Sequence, residues 1–218
     1  YLHQLRDPKS ILTVEEAARA TDWQALPAGV NDGFTGDTIW LRLQVDAVAH
    51  PHGGWILRFG NALLDQVSVY IQHPDGTWRL LGTSGEDIPR SEWPFEYRSA
   101  AFQLPETAGT QVLMIRLQSK NALASRIEVW PRLAFDNVTR RETLFYGLYF
   151  GFYLLLIGLH AVFWISTRAP MSGLFLAYIG IGVFNEALSL GLVQQLTHLS
   201  VQWSDRLLGA GIAINVLV

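Results

Sequence analysis

The chain has 218 residues, of which half are hydrophobic and 16% are charged, whereas a soluble domain typically carries about 25% charged residues. The net charge of −3 comes from interspersed signs without a basic patch, which argues against a nucleic-acid partner. Cysteine is absent, which excludes disulfides and thiolate chemistry. Because 31 of the 35 charges lie in residues 1–142, we expect an N-terminal domain in water followed by segments in lipid.

The first predicted element is a short helix over residues 14–20. Thr13 and Glu16 have the spacing of a capping box, which marks a helix start. The glycine-rich segment that follows, residues 31–36, lacks the lysine and the helix start of a phosphate-binding loop. We therefore expect this segment to be an ordinary loop.

Residues 38–135 alternate short period-2 runs with turn residues, which is typical of an antiparallel β-sandwich or jelly roll. At least seven strands fit into this region, and the sequence His-Pro-Asp-Gly at 73–76 predicts a hairpin turn. The predicted strands cover residues 38–46, 55–60, 67–72, 77–82, 97–104, 111–118 and 126–130.

The predicted core consists of apolar residues that share one face of each strand, because successive side chains of a strand point to opposite faces. Met114 lies on the opposite face and is expected to matter less for stability. The predicted core residues are Leu41, Leu43, Leu57, Phe59, Val67, Val69, Leu113, Ile115 and Leu117.

Two complete membrane spans and the start of a third are predicted in the C-terminal part. Residues 143–166 are free of formal charge and exceed the roughly 20 residues that a spanning helix needs. A four-residue connection leads to a second span, residues 171–193, and Pro170 fits its first turn. A third apolar run begins near residue 207. We place the domain boundary between 1–139 and 140–218.

Polar residues inside the predicted spans are costly in lipid and are expected to face other helices or a cavity. His160, Asn185 and Glu186 are these residues. A structural role and a signalling or proton-linked role both remain open for them.

The candidate ligand-binding residues are arginines that lie between apolar neighbours on three strands, together with nearby aromatic residues. Guanidinium groups beside aromatic rings suit polyol hydroxyls or a carboxylate. The alternative is ordinary pairing of surface arginines with acidic neighbours. A loop around Trp93 and Arg98 is a second candidate. The predicted ligand-binding residues are Trp40, Arg42, Arg58, Tyr70 and Arg116.

Two other classes of function compete with ligand binding. Glycoside hydrolysis needs two positioned carboxylates, but the acids at 86, 87, 92 and 96 cluster in one stretch and suit solvation better, so no catalytic residue is expected. His50 and His52 are too isolated for a metal site, and neither a metal nor another cofactor is expected. A module for homodimerisation or protein interaction is the third class.

Several motifs occur in the order found in one known family. The soluble part contains Leu-Thr-Val-Glu-Glu-Ala-Ala at 12–18, the loop at 31–36, Ile-Trp-Leu-Arg-Leu at 39–43, a strand at 65–70, and Arg90. The spans contain Leu-Tyr-Phe-Gly at 148–151, Ala-Tyr at 177–178, and Gly191 with Gln195. With these motifs the chain resembles the bacterial seven-transmembrane receptors with diverse intracellular signalling modules, in which an extracytoplasmic sensor domain precedes the membrane module.

The resemblance implies a periplasmic jelly-roll input domain on the bacterial inner membrane. It implies a carbohydrate-like ligand and a cytoplasmic output domain, such as a diguanylate cyclase or a histidine kinase, that lies outside these 218 residues. The expected partners are therefore a small molecule, the lipid bilayer and a second copy of the chain. Residues 1–142 are expected in the periplasm and residues 167–170 in the cytoplasm, although the arginine distribution runs against the positive-inside tendency.

Overall fold

A computed structural model describes residues 1–27, 29–47, 53–106, 109–197 and 201–217. The chain forms two compact units, Tyr1–Phe135 and Asp136–Val218. The first unit is built almost entirely from β-strands, and the second is helical. The boundary predicted between residues 139 and 140 falls within a helix that begins at Arg132.

The first unit contains ten strands and one short α-helix in the described residues, and all strand pairs are antiparallel. A single 3-10 turn, Arg90–Glu92, lies between the seventh and eighth strands. The elements are β1 (Leu2–Asp7), α1 (Val14–Arg19), β2 (Gln24–Leu26), β3 (Gly29–Phe34), β4 (Thr38–Ala47), β5 (Trp55–Phe59), β6 (Gln66–Gln72), β7 (Trp78–Ser84), β8 (Ala101–Leu104), β9 (Gly109–Gln118) and β10 (Ala122–Pro131).

The strands form two sheets that pack as a sandwich. One sheet has six strands in the order β2-β1-β4-β9-β6-β7, and the other has four in the order β3-β10-β5-β8. From β3 to β10, successive strands alternate between the sheets except at the β6–β7 hairpin, which is the order of an eight-stranded jelly roll. Strands β1 and β2, which are connected through α1, extend the six-stranded sheet beyond β4. The predicted fold class is confirmed.

The main core lies between the two sheets and contains all nine predicted core residues. Eight of them are buried, and Leu43 is partly buried against the same cluster. Strand β9 shows why apolar alternation predicted the core: it pairs with β4 on one side and with β6 on the other. Its residues Leu113, Ile115 and Leu117 therefore point inward together.

Met114 was expected to matter less for stability than Ile115, because it lies on the opposite face of β9. It does lie on the face opposite the core, but it is fully buried in a second cluster with Trp40 and Leu5. Val14 and Ala17 of α1 belong to the same cluster. Helix α1 therefore covers part of the outer face of the six-stranded sheet.

The start of α1 has the predicted capping box. The Thr13 hydroxyl accepts a hydrogen bond from the Glu16 amide, and the Glu16 carboxylate accepts one from the Thr13 amide. These bonds satisfy two donors that would otherwise lack a partner at a helix start. The helix ends at Arg19, one residue before the predicted end.

Three strand predictions are corrected by the structure. Residues 31–36 are largely strand β3 and not a loop, and β3 pairs with β10. A methyl group on Gly29 would lie 2.6 Å from the Ser125 carbonyl oxygen, so only glycine permits this close pairing. The strand predicted over 97–104 begins only at Ala101. β1 and β2 were not predicted.

Two helices of the described chain are long and apolar enough to cross a membrane: α2 (Arg132–Thr167) and α3 (Pro170–Ser189). The predicted span 143–166 lies within α2, and the predicted span 171–193 ends early, at Ser189. Pro170 occupies the first turn of α3 as expected. Two further helices follow, α4 (Leu192–Thr197) and α5 (Val201–Leu217).

Helices α2 and α3 run in opposite directions and touch through a few side chains. The Tyr149 hydroxyl donates a hydrogen bond to Glu186 at 2.8 Å, near one end of the pair. Toward the connection, a methyl group on Gly173 would lie 2.7 Å from the Trp164 indole nitrogen. Glycine at this position therefore leaves room for the Trp164 ring.

Candidate functional site

Four of the five predicted ligand-binding residues lie together on the outer face of the six-stranded sheet. Trp40 and Arg42 are on β4, Tyr70 is on β6, and Arg116 is on β9. Trp40 is paired across the strands with Arg116, and Met114 lies between Arg42 and Tyr70. The register therefore makes these four side chains neighbours on one surface.

Arg58, the fifth predicted residue, lies on the other sheet. It is on β5, where its guanidinium Nε and Nη2 donate to the Glu128 carboxylate of β10 at 3.0 and 2.6 Å. Its Nη1 donates to the Tyr97 hydroxyl oxygen at 3.1 Å. The structure therefore separates Arg58 from the other four residues.

Trp40 is the centre of the outer-face cluster and is only 1% exposed. Its ring lies 6.1 Å from the Tyr70 ring, at an angle of 36°. Two half-buried tryptophans, Trp23 and Trp78, pack against the same cluster. Neither was among the predicted ligand-binding residues: Trp23 lies between α1 and β2, and Trp78 begins β7.

Two indole N–H groups in this cluster have no hydrogen-bond acceptor within the described part of the chain. They are Nε1 of Trp23 and Nε1 of Trp40, and both atoms are buried. A buried donor that lacks an acceptor costs about 1–3 kcal/mol.

The two arginines at the cluster differ in exposure and in hydrogen bonding. Arg42 is exposed, whereas half-buried Arg116 donates from Nη1 to the Gln118 side-chain oxygen at 2.8 Å. Gln118 in turn donates to the Thr38 hydroxyl at 2.9 Å. The face thus combines aromatic rings, two cationic forks and two unsatisfied indole donors, which suits a ligand that carries hydroxyl or carboxylate acceptors.

The loop around Trp93 and Arg98 packs its own aromatic residues. The Arg90 guanidinium lies 3.9 Å above the Trp93 ring and donates to the backbone oxygens of Tyr97 and Arg98. The Trp93 indole donates to the Ile88 carbonyl oxygen at 3.0 Å. Burial lowers the pKa of Arg90. These contacts shape the loop from within and leave the Trp93 donor satisfied.

The acidic residues of the same stretch do not assemble a metal centre in the described residues. Asp87 lies 3.2 Å from the Lys120 ammonium group in an exposed ion pair. The histidines His50 and His52 lie outside the described residues.

The polar residues of the second unit have separate surroundings. Glu186 accepts the hydrogen bond from Tyr149 described above, and the His160 ring lies 5.3 Å from Phe175. Asn185 is buried, and its side-chain oxygen has no hydrogen-bond partner in the described part of the chain. A methyl group on Gly211 of α5 would collide with the Asn185 amide, so α5 can approach α3 closely there.

Comparison with known proteins gives one informative match. The family model described as 7TMR-DISM extracellular 2 matches residues 1–131, and no curated protein matches the chain. Among solved structures, the crystal structure of reduced CprK in the absence of any ligand is 12% identical and has a TM-score of 0.23. The match covers 78% of this chain and 80% of that one, and at such a score it carries no argument.

The family match covers more than half of the chain and coincides with the jelly-roll sandwich. The two apolar helices follow directly after it. The chain therefore belongs to the 7TMR-DISM extracellular 2 family of receptor sensor domains, and it is a membrane protein whose N-terminal domain lies outside.

Proposed function

We propose that the sandwich is the ligand-binding input domain of a bacterial inner-membrane receptor and that it lies in the periplasm. The ligand is a small molecule with hydroxyl or carboxylate groups, of the carbohydrate-like kind. Its occupancy is relayed through the transmembrane helices to a cytoplasmic output domain, a diguanylate cyclase or a histidine kinase. The family match supports the sensor role.

The observation that carries the ligand proposal is the pair of unsatisfied indole donors on the outer face of the six-stranded sheet. Trp23 and Trp40 each bury an N–H group without an acceptor. Because both nitrogens are covered in the structure, a ligand oxygen satisfies them only when α1 moves off the cluster, and it then recovers the cost of burying them alone. Arg42 and Arg116 stand on the same face and supply charge-assisted donors for further oxygens.

The surrounding rings support a ligand that has both apolar and polar surfaces. Tyr70 and Trp78 pack against the Trp40 cluster. Aromatic rings offer flat apolar surfaces to the C–H faces of a sugar, while the donors around them fix its oxygens. We therefore propose Trp40, Arg42, Tyr70 and Arg116 as the ligand face and leave Arg58 out of it.

A binding role without catalysis is proposed for this chain, since the family is one of sensor domains and not of enzymes. Homodimerisation remains the alternative function of the outer face. In that case the chain would be dimeric in lipid nanodiscs. Arg42→Ala would then lower the mass of the assembly from dimer to monomer and leave small-molecule binding unchanged.

The experiment is a titration of the full chain, in nanodiscs, with a panel of monosaccharides, sugar alcohols and short carboxylates, followed by NMR of 15N-labelled indole groups. A bound acceptor moves an indole N–H resonance downfield. We expect Trp23 and Trp40 to move with at least one member of the panel.

Trp93 and Trp130 serve as internal controls because their indole groups already donate, to the Ile88 carbonyl and to Glu128 respectively. Their resonances should stay in place. The proposed ligand face is wrong if Trp23 and Trp40 remain unmoved across the panel, or if only Trp130 responds.

A further inference from the structure

The first turn of α2 is attached to the sandwich by an aromatic contact. β10 ends at Pro131 and α2 begins at Arg132, so no linker separates them. Phe135, in this first turn, is 2% exposed. Its ring meets the Tyr97 ring edge-on at 5.1 Å and the Phe95 ring at 5.7 Å.

Tyr97 is in turn held from the other side by Arg58. Arg58 donates to the Tyr97 hydroxyl oxygen at 3.1 Å and is itself fixed by two hydrogen bonds to Glu128. The Arg58 guanidinium also lies 5.8 Å from the Trp130 ring. A side chain held by this many groups has little freedom, so it can position Tyr97 against Phe135.

The loop that carries Tyr97 begins after Ser84, the last residue of β7. The first residue of that strand, Trp78, packs in the Trp40 cluster. Arg90 fixes the loop by donating to the Tyr97 backbone oxygen at 2.5 Å. One stretch of chain therefore runs from the ligand face to the start of α2.

We infer that Arg58, Tyr97 and Phe135 form a clamp that holds the first turn of α2 on the sandwich, and that opening this clamp frees the start of α2 without unfolding the sandwich. Arg58 and Tyr97 are positioning residues and bind no ligand. A role of the clamp in signalling rests on the proposed function. Its effect on the stability of the first turn of α2 does not depend on a ligand.

The test is hydrogen exchange of the full chain in nanodiscs, comparing residues 136–139 with strand β9. Tyr97→Phe keeps the ring and removes the hydroxyl group that accepts the Arg58 hydrogen bond. We expect exchange in residues 136–139 to become about tenfold faster, as for the loss of one hydrogen bond to a charged group. Exchange in β9 should stay unchanged.

Phe135→Ala removes the ring itself and should accelerate exchange in residues 136–139 further. Tyr1→Phe and Phe34→Ala are matched controls, since both side chains are more than four-fifths exposed. The clamp is refuted if neither variant changes residues 136–139, or if β9 accelerates equally in Tyr97→Phe. Failure of the ligand titration would leave this result standing, so the two proposals are tested separately.

Discussion

Replacing Ile115 with alanine is expected to reduce the free energy of unfolding of the sandwich by about 2–5 kcal/mol. Ile115 is fully buried at the centre of the main core, and β9 is paired on both sides there. Neither neighbouring strand can close the cavity without losing its own register. The measurement is urea denaturation of the full chain in nanodiscs, followed by tryptophan fluorescence.

Two further variants make this result specific. Phe34→Ala removes a ring that is 84% exposed and should change the free energy by less than about 0.5 kcal/mol. Met114→Ala should cost about 2 kcal/mol or more, because α1 buries Met114 from the other side. A loss well below about 1 kcal/mol for Ile115→Ala would contradict the placement of the core.

The double variant Arg42→Ala, Arg116→Ala is expected to weaken ligand binding by about a hundredfold or more. Each hydrogen bond from a charged donor contributes about 1.5–3 kcal/mol, and the two side chains share one face. Arg42 is exposed and Arg116 is half-buried on the outer face, so folding should be preserved. The measurement is calorimetric titration with the panel compound that moves the Trp40 resonance.

Arg126→Ala is the matched control, because Arg126 is exposed and lies on the four-stranded sheet. The Arg126→Ala variant should bind the same compound with the affinity of the unchanged chain. Arg58→Ala should also bind it with unchanged affinity. Normal binding by the double variant would show that the outer face does not hold the ligand. The loop around Trp93 and Arg98 would then become the better site.

The sandwich core was predicted correctly from local alternation, but strands β1, β2 and β3 were not predicted. In β9, apolar residues at 113, 115 and 117 follow the period of a strand. Strand β3, by contrast, is glycine-rich and forms only because β10 lies beside it. Such pairing depends on distant residues, which a local pattern does not contain.

The candidate site was predicted only in part, again because local alternation contains no information about packing between distant residues. Alternation places Arg42 and Arg58 on faces that point away from the core, but it does not tell which sheet each strand joins. Trp40 was correctly placed on an outward face, yet α1 buries it. The docking of a short helix onto a sheet is set by tertiary packing, so the burial of Trp40 and Met114 became visible only in the fold.

The outside position of the sandwich fixes the topology of the helices that follow it. Alkaline phosphatase, which is active only outside the cytoplasm, can be fused after Arg168 or after Gln195 to measure this topology. Arg168 lies in the connection between α2 and α3, and Gln195 follows α3. We expect an inactive fusion at Arg168 and an active one at Gln195, whereas the reverse pattern would place the sandwich in the cytoplasm.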